Sequence, residues 1–201
     1  KNGQAIDIEH ELHAQIGDIV HVATSAMPIL SPDGKRTGYR GVDKNITERK
    51  FTEKVQEALR SISESALAAP DLNSLLSAVH AAVKTLMPAD NFSFALYNDQ
   101  TGLISFPYYV DERSTALPAQ TPGLDPTAYV LRSGKPLLAP PEVHRQLERS
   151  GVLKGGPAGV DWLGVPLRSG GRIIGVMATQ TYHEAIRLSE RDRDTQPKSV
   201  M

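Results

Sequence analysis

The stretch from Arg172 to Tyr182 constrains the fold more than any other part of the chain. It follows a Ser169-Gly170-Gly171 turn and carries Ile173, Ile174, Val176, Met177 and Ala178. Side chains of an extended strand alternate between its two faces. Ile174, Val176 and Ala178 are therefore expected on one face, and Ile173 and Met177 on the other. A strand that is apolar on both sides needs cover on both sides. It belongs inside a layered sheet, with Asp161 to Leu167 as its hairpin partner.

The covering elements can be read upstream. Leu72, Leu75, Leu76, Val79, Ala82, Val83 and Leu86 recur at i, i+3, i+4 and i+7, which predicts a helix over 72–86 with Asp71 as its N-cap. Phe92, Phe94 and Leu96 alternate with Ser93, Ala95 and Tyr97 in the next strand. A turn at Asn98 to Gly102 leads to a return strand, Leu103 to Val110. Pro107 has no N–H to give a ladder, so it marks an edge strand or a bulge. Residues 111–126 read as a loop rich in Pro, Thr and Ala. Short helices are expected over 127–133, closed by Gly134, and over 142–149, closed by Gly151; Gly155 to Gly159 reads as loop. This order predicts an α+β fold with an antiparallel sheet. Long helices would cover one face. The short helices and the 111–126 loop would roof the other and leave room for a cavity.

Residues 1–47 read as β-rich: Ala5 to Leu12, Asp18 to Ala26 and Thr37 to Ile46, with a Ser31-Pro32-Asp33-Gly34 turn before the third strand. Three short strands make a poor core, so this segment is expected to need residues that precede Lys1. The chain opens on Lys1, not Met, and is expected to be part of a longer protein. Between 48 and 69 Gly and Pro vanish. Phe51, Val55, Ala58, Ile62, Ser65 and Ala69 then form a heptad-like stripe. Such a stripe fits a helix packed on its own domain, or one paired with its copy in a second chain.

Composition narrows the chemistry. With no cysteine, disulfides, thiolate metal sites, cysteine nucleophiles and thioether-linked chromophores are excluded. Net charge is −1, and no basic run exceeds two residues, so neither nucleic acid nor an anionic membrane is an expected partner. No apolar stretch nears the about 20 residues needed to span a bilayer, and a cytoplasmic location is expected. Phosphate-binding loops, nucleophile elbows and His-Glu-x-x-His sites are missing from the sequence. His10 and His13 fall on opposite faces of a strand, so no metal site is expected there. His183 reads as a loop histidine, and His80 as a helix residue beside the apolar face.

Two stretches resemble known families. Gly34-Lys35, Gly38-Tyr39-Arg40-Gly41-Val42 and Asn45-Ile46-Thr47-Glu48-Arg49-Lys50 resemble the C-terminal strands and exit motif of a PAS domain, with Asn45 where that family usually has Asp. Residues 58–194 resemble a GAF domain. The match is carried by Leu72–Leu86, Phe92–Tyr97, Ile104 to Asp111, Leu131 to Leu137, Trp162-Leu163-Gly164-Val165-Pro166-Leu167, Gly175-Val176-Met177 and Gln180-Thr181-Tyr182. The resemblance implies an antiparallel sheet of about six strands between helical layers. Domain limits would be 1–47 for the PAS strands, 48–69 for a linker helix, 58–194 for the GAF domain and 195–201 for a tail.

It further implies a non-catalytic sensory module of a bacterial signalling protein, such as a sensor histidine kinase or diguanylate cyclase of a two-component type pathway. The output domain would lie elsewhere in the same full-length chain. Tyr108, Tyr109, Asp111, Tyr129 and Trp162 are the expected ligand-binding residues. Asn45, Thr47, Val55 and Ile62 are the expected relay residues of a homodimer. No cofactor is identifiable. A small-molecule ligand is expected, but not a covalent bilin, since there is no cysteine. The alternative is a dimerisation scaffold without ligand. A reductase of free methionine sulfoxide, which shares this fold in a related family, relies on cysteines that this chain does not have.

Overall fold

The computed structural model describes residues 5–13, 19–115, 118–155 and 159–195. Asp18, the middle of the Gly155–Gly159 loop and the tail beyond 195 lie outside the described residues. The chain divides into two compact units, 1–56 and 57–201.

The first unit is a three-stranded antiparallel sheet in the order β1 (Ile6–His13), β2 (Ile19–Leu30), β3 (Arg36–Asn45). β2 runs past the expected end at Ala26. Pro28 is tolerated there because β1 pairs only with Ile19 to Ala26, so no β1 partner awaits the missing N–H. α1 (Thr47–Ala68) follows directly. Its start is pinned to β2: Thr47 Oγ1 accepts from the His21 N–H at 3.0 Å, and the Asn45 side-chain oxygen accepts from the Thr47 N–H at 2.9 Å. Glu9 on β1 holds Arg49 and Lys50, each at 2.6 Å. Among residues 51–69, the six stripe positions from Phe51 to Ala69 are the ones not exposed. The open side of α1 instead carries Leu59 and Leu67, the latter 91% exposed.

The second unit takes in the end of α1 from Glu57 and continues with α2 (Leu72–Lys84), capped by the Asp71 carboxylate, which accepts from the Ser74 N–H at 2.7 Å. Then follow β4 (Asn91–Asn98), β5 (Leu103–Val110), α3 (Pro126–Ser133), β6 (Leu137–Ala139), α4 (Pro141–Arg149), β7 (Trp162–Ser169), β8 (Arg172–Gln180) and α5 (Glu190–Thr195). The strands form one antiparallel sheet, β5-β4-β8-β7-β6. Among the described residues that is five strands, not about six. β8 lies in the middle, as its two apolar faces require.

One face packs on α2: Phe92, Phe94, Leu163, Val165, Leu167 and Met177 meet Leu76, Val83 and Met87. The other carries Ala95, Val176 and Ala178 against Val130 of α3, with Val143 and Leu147 of α4 beside them. A fully buried aliphatic side chain contributes about 1.5–3 kcal/mol, and Leu163, Val165 and Met177 are wholly buried.

Two register shifts change which face a side chain meets. Phe94 pairs with Tyr108, but Leu96 pairs with Ser105, so Phe106 and Pro107 together oppose Ala95. Pro107 thus sits at a bulge on an edge strand. The second shift lies between Leu167 and Arg168 and leaves Ile174 unpaired with β7. Ile174 therefore packs with Met177, not with Val176 and Ala178. Ile173 instead lies beside Gly134 at the end of α3, where an added Cβ would come within 2.9 Å of it. The strict alternation expected from sequence breaks at this bulge.

His80 is buried on α2 and stacks on Phe92 with ring centroids 4.5 Å apart. The Ala89 carbonyl, 2.6 Å from Nε2, can only accept, so Nε2 carries the proton and Nδ1 accepts from the Tyr108 hydroxyl at 2.9 Å. Burial holds the imidazole below its ordinary value. The unfolded chain therefore binds a proton first as pH falls. Stability should be full above about pH 6.5 and decline below it, towards the lower folded value. Urea midpoints at pH 7.5 and 5.5 check this, and His80→Gln should make the fall shallower.

Candidate functional site

A half-open cleft of about 510 Å³ lies on the sheet face away from α2. Its size falls within the range of small-molecule sites. Ser93, Ala178 and Gln180 form part of its sheet side, with Phe106, Tyr109 and Trp162 as aromatic walls. Asp125, Pro126 and Thr127 at the start of α3 and His144 of α4 also line it. α3 is set by Asp125, whose carboxylate caps the Ala128 N–H at 3.0 Å, and by Gly134, which closes it at φ +64°.

Trp162 owes its pose to Gly164. Side chains at i and i+2 of a strand share a face, and a Cβ on Gly164 would lie 2.2 Å from the indole. The six-membered ring of the indole fills the space a side chain at 164 would take, and Trp162 lines the cleft.

Asp111 organises the polar edge. Its Oδ2 accepts from Gln180 Nε2 at 2.6 Å and from the Tyr182 hydroxyl at 2.8 Å. Oδ1 accepts from the backbone of Arg113 at 2.9 Å and of Ser114 at 2.8 Å, and from the Ser114 hydroxyl at 3.0 Å. The Ser114 hydroxyl also meets the Tyr109 hydroxyl at 2.7 Å. Burial alone would raise the Asp111 carboxyl. The donors from Tyr182, Arg113, Gln180 and Ser114 outweigh it and hold the group below its ordinary range. Burial, with the Asp111 carboxylate alongside, pushes the Tyr182 phenol up. Arg113 stacks over the Tyr182 ring at 4.2 Å. So engaged, Asp111 is a scaffold for the rim and not a free base.

His144 is 4% exposed, and its Nδ1 is buried with no hydrogen-bond partner among the described residues. A buried unpaired nitrogen costs about 1–3 kcal/mol. Asp161, at the cleft end of β7, is 1% exposed and is held by Arg187.

Of the residues expected from sequence, Tyr109, Asp111 and Trp162 meet in this cleft. Tyr108 does not line it: the Pro107 bulge turns it towards α2, where it bonds His80. Tyr129 packs among the residues beneath α3 and borders a separate hollow with Arg132 and Val152. Asn45, Thr47 and Val55 belong to the first unit, and Ile62 to the second. Gln180, Tyr182, His144 and Asp161 were missed. The short helix expected over 142–149 already put His144 and Leu147 three apart on one face, which was a usable signal for His144. Among the described residues, no group of three His, Cys, Asp or Glu is arranged to hold a metal ion. His183 is exposed in a loop, 3.6 Å from Glu112.

Removing the Asp111 carboxylate should free the turn that follows it. Asp111→Ala is expected to raise amide exchange at Arg113 and Ser114 about tenfold, read by hydrogen-exchange mass spectrometry, with β8 still protected.

Comparison with known proteins agrees with this geometry. A family model described as "GAF domain" matches residues 69–195. The GAF domain of a phosphoenolpyruvate-protein phosphotransferase from Coxiella burnetii superposes with a TM-score of 0.56 at 20% identity, over 71% of this chain and 86% of that one. A free methionine-R-sulfoxide reductase from Neisseria meningitidis gives 0.51 at 16%, over 71% and 83%. The chromophore-binding domain of a Stigmatella aurantiaca bacteriophytochrome gives 0.52 at 13%, over 94% and 69%. At these identities the likeness speaks to the fold alone. No curated protein matches the chain. With the family model spanning the sheet, its covering helices and the cleft, the chain belongs to the GAF domain family, whose members are typically sensory or regulatory ligand-binding modules.

Proposed function

We propose that this chain is a non-catalytic sensory module that binds a small molecule in the cleft between its sheet and α3 and α4. The observation that carries the reading is the pairing of aromatic walls, Tyr109 and Trp162, with a preset polar rim around Asp111 and an unpaired His144 nitrogen. Apolar walls with few placed polar groups are what ligand sites use. In this reading the first unit is the C-terminal part of a PAS domain. α1 is the linker that relays a change of pose, and the output, a histidine kinase or a diguanylate cyclase, sits elsewhere in the full-length protein. The bonds at the start of α1 support the relay, because Thr47 ties the helix to His21 of β2 and Asn45, at the end of β3, accepts from the Thr47 N–H.

Native mass spectrometry and thermal-shift screening against a metabolite panel test the ligand. A binder at 100 times its Kd should stabilise the fold by about 2.7 kcal/mol, and Ser93→Phe, which places a ring in the cleft, should abolish the shift. A panel that stabilises nothing favours the second reading, a dimerisation scaffold.

Pairing through α1 has its own test. Val55→Glu with Ile62→Glu strikes the half-covered stripe and so strains folding as well. Leu59→Glu with Leu67→Glu strikes only the open side. Analytical ultracentrifugation should show the dimer weakened by one of these pairs; association unchanged in both removes helix pairing.

A further inference from the structure

Asp161 touches two regions at once. It lines the cleft beside Trp162, yet its carboxylate reaches the segment that leaves the sheet. Oδ2 accepts from Arg187 Nε at 2.8 Å and from the Leu188 N–H at 2.8 Å, and Oδ1 accepts from the second guanidinium nitrogen at 3.0 Å. The Asp161 side chain has no exposure, whereas Arg187 is half exposed. Leu188 is buried with the residues packed around α2, on the opposite face of the sheet from the cleft. Ser189 then caps α5 through Asp192. The carboxylate thus joins the cleft wall to the anchor of α5.

The backbone around Asp161 makes that joint stiff. Its carbonyl accepts from the Thr181 N–H at 2.9 Å, and its own N–H donates to Thr181 Oγ1 at 3.1 Å. The Val160 N–H donates to the Thr181 carbonyl at 2.7 Å. Gly159 rides so close that a Cβ there would fall 2.4 Å from the same carbonyl. The next residue, Tyr182, donates to Asp111. A continuous set of bonds therefore runs from the polar rim through Thr181 and Asp161 to Arg187. A buried carboxylate cannot be left half-paired without a large penalty. The pair is therefore either made or broken, which is the discrete behaviour that coupling requires.

We infer that the Asp161–Arg187 pair is a latch linking the state of the cleft to the anchoring of residues 186–195. The inference rests on the cleft being a ligand site. Any occupant that shifts Trp162 or the 159–160 backbone shifts Asp161 with it, and release of Arg187 and Leu188 frees α5. By reciprocity, loosening the latch changes the cleft.

The test needs no ligand. Trp162 is the sole tryptophan of the chain, so its emission and acrylamide quenching report the cleft. Hydrogen exchange over 186–195 reports the anchor. Arg187→Gln, at a residue that does not itself line the cleft, should raise that exchange about fivefold or more and alter Trp162 quenching. Arg187→Lys keeps the charge without the fork and should do less of both. Gly164→Ala, which displaces the indole from the other side, should raise the same exchange. Protection of the β8 amides verifies folding, and Arg187→Lys serves if the Gln variant does not fold. A loosened 186–195 with Trp162 unchanged would overturn the latch, as would unchanged exchange in Gly164→Ala. Either result leaves ligand binding standing, whereas a barren metabolite screen would sink the ligand reading and leave this coupling measurable.

Discussion

Burial of β8 on both sides is the constraint from which the second unit follows. A strand with Met177 facing α2 and Val176 facing α3 cannot lie at an edge or at a surface. It draws β4 to one side and β7 to the other, and it forces a helical layer over each face. The layers differ. α2 is long enough to seal its face, while α3 and α4 are short and leave a gap. The cleft is that gap. The site is a by-product of unequal roofing, furnished afterwards with Tyr109, Trp162 and the Asp111 network.

The polar rim is built from residues distant in sequence. Asp111 follows an edge strand, and Gln180 and Tyr182 end the central one. Only the β5-β4-β8 order brings them together. Their bonds also satisfy the carboxylate so fully that it stays ionised while half-buried, opposite in sense to His80, which burial keeps neutral on the other face. The two sides of one sheet therefore carry opposite electrostatic habits.

Much of the fold was legible because its signals are local. The spacing of Leu72 to Leu86 marks α2, Asp71 and Gly134 mark helix ends, and Phe92 to Tyr97 alternates cleanly. The bulges were less so. Pro107 announced one, but nothing in the Arg172 to Tyr182 run signals that Ile174 sits out of register. That shift is set by the pairing of Leu167 with Gly175 and of Arg168 with Ile173. The site was half legible for the same reason. Trp162 heads the Leu163 to Leu167 strand, and Tyr109 and Asp111 flank the loop. Of the adjacent Tyr108 and Tyr109 only one can face the cleft, and the bulge decides that it is Tyr109, while Asp161 is hidden because its partner Arg187 arrives from 26 positions away.

The bulge in β5 has a consequence for how such a module diversifies. At Phe106 and Pro107 the strand holds one residue more than its neighbour requires, and among the described residues its far side is bonded only where Ile104 bridges Gln120, before the bulge. Deleting position 107 would exchange the roles of the two adjacent tyrosines: the ring now against His80 would turn inward to the cleft, and the one now in the cleft would turn to the helix. Recognition in this architecture can thus be rewritten by length change in the chain, with no alteration of the residues themselves and none of the central strands disturbed.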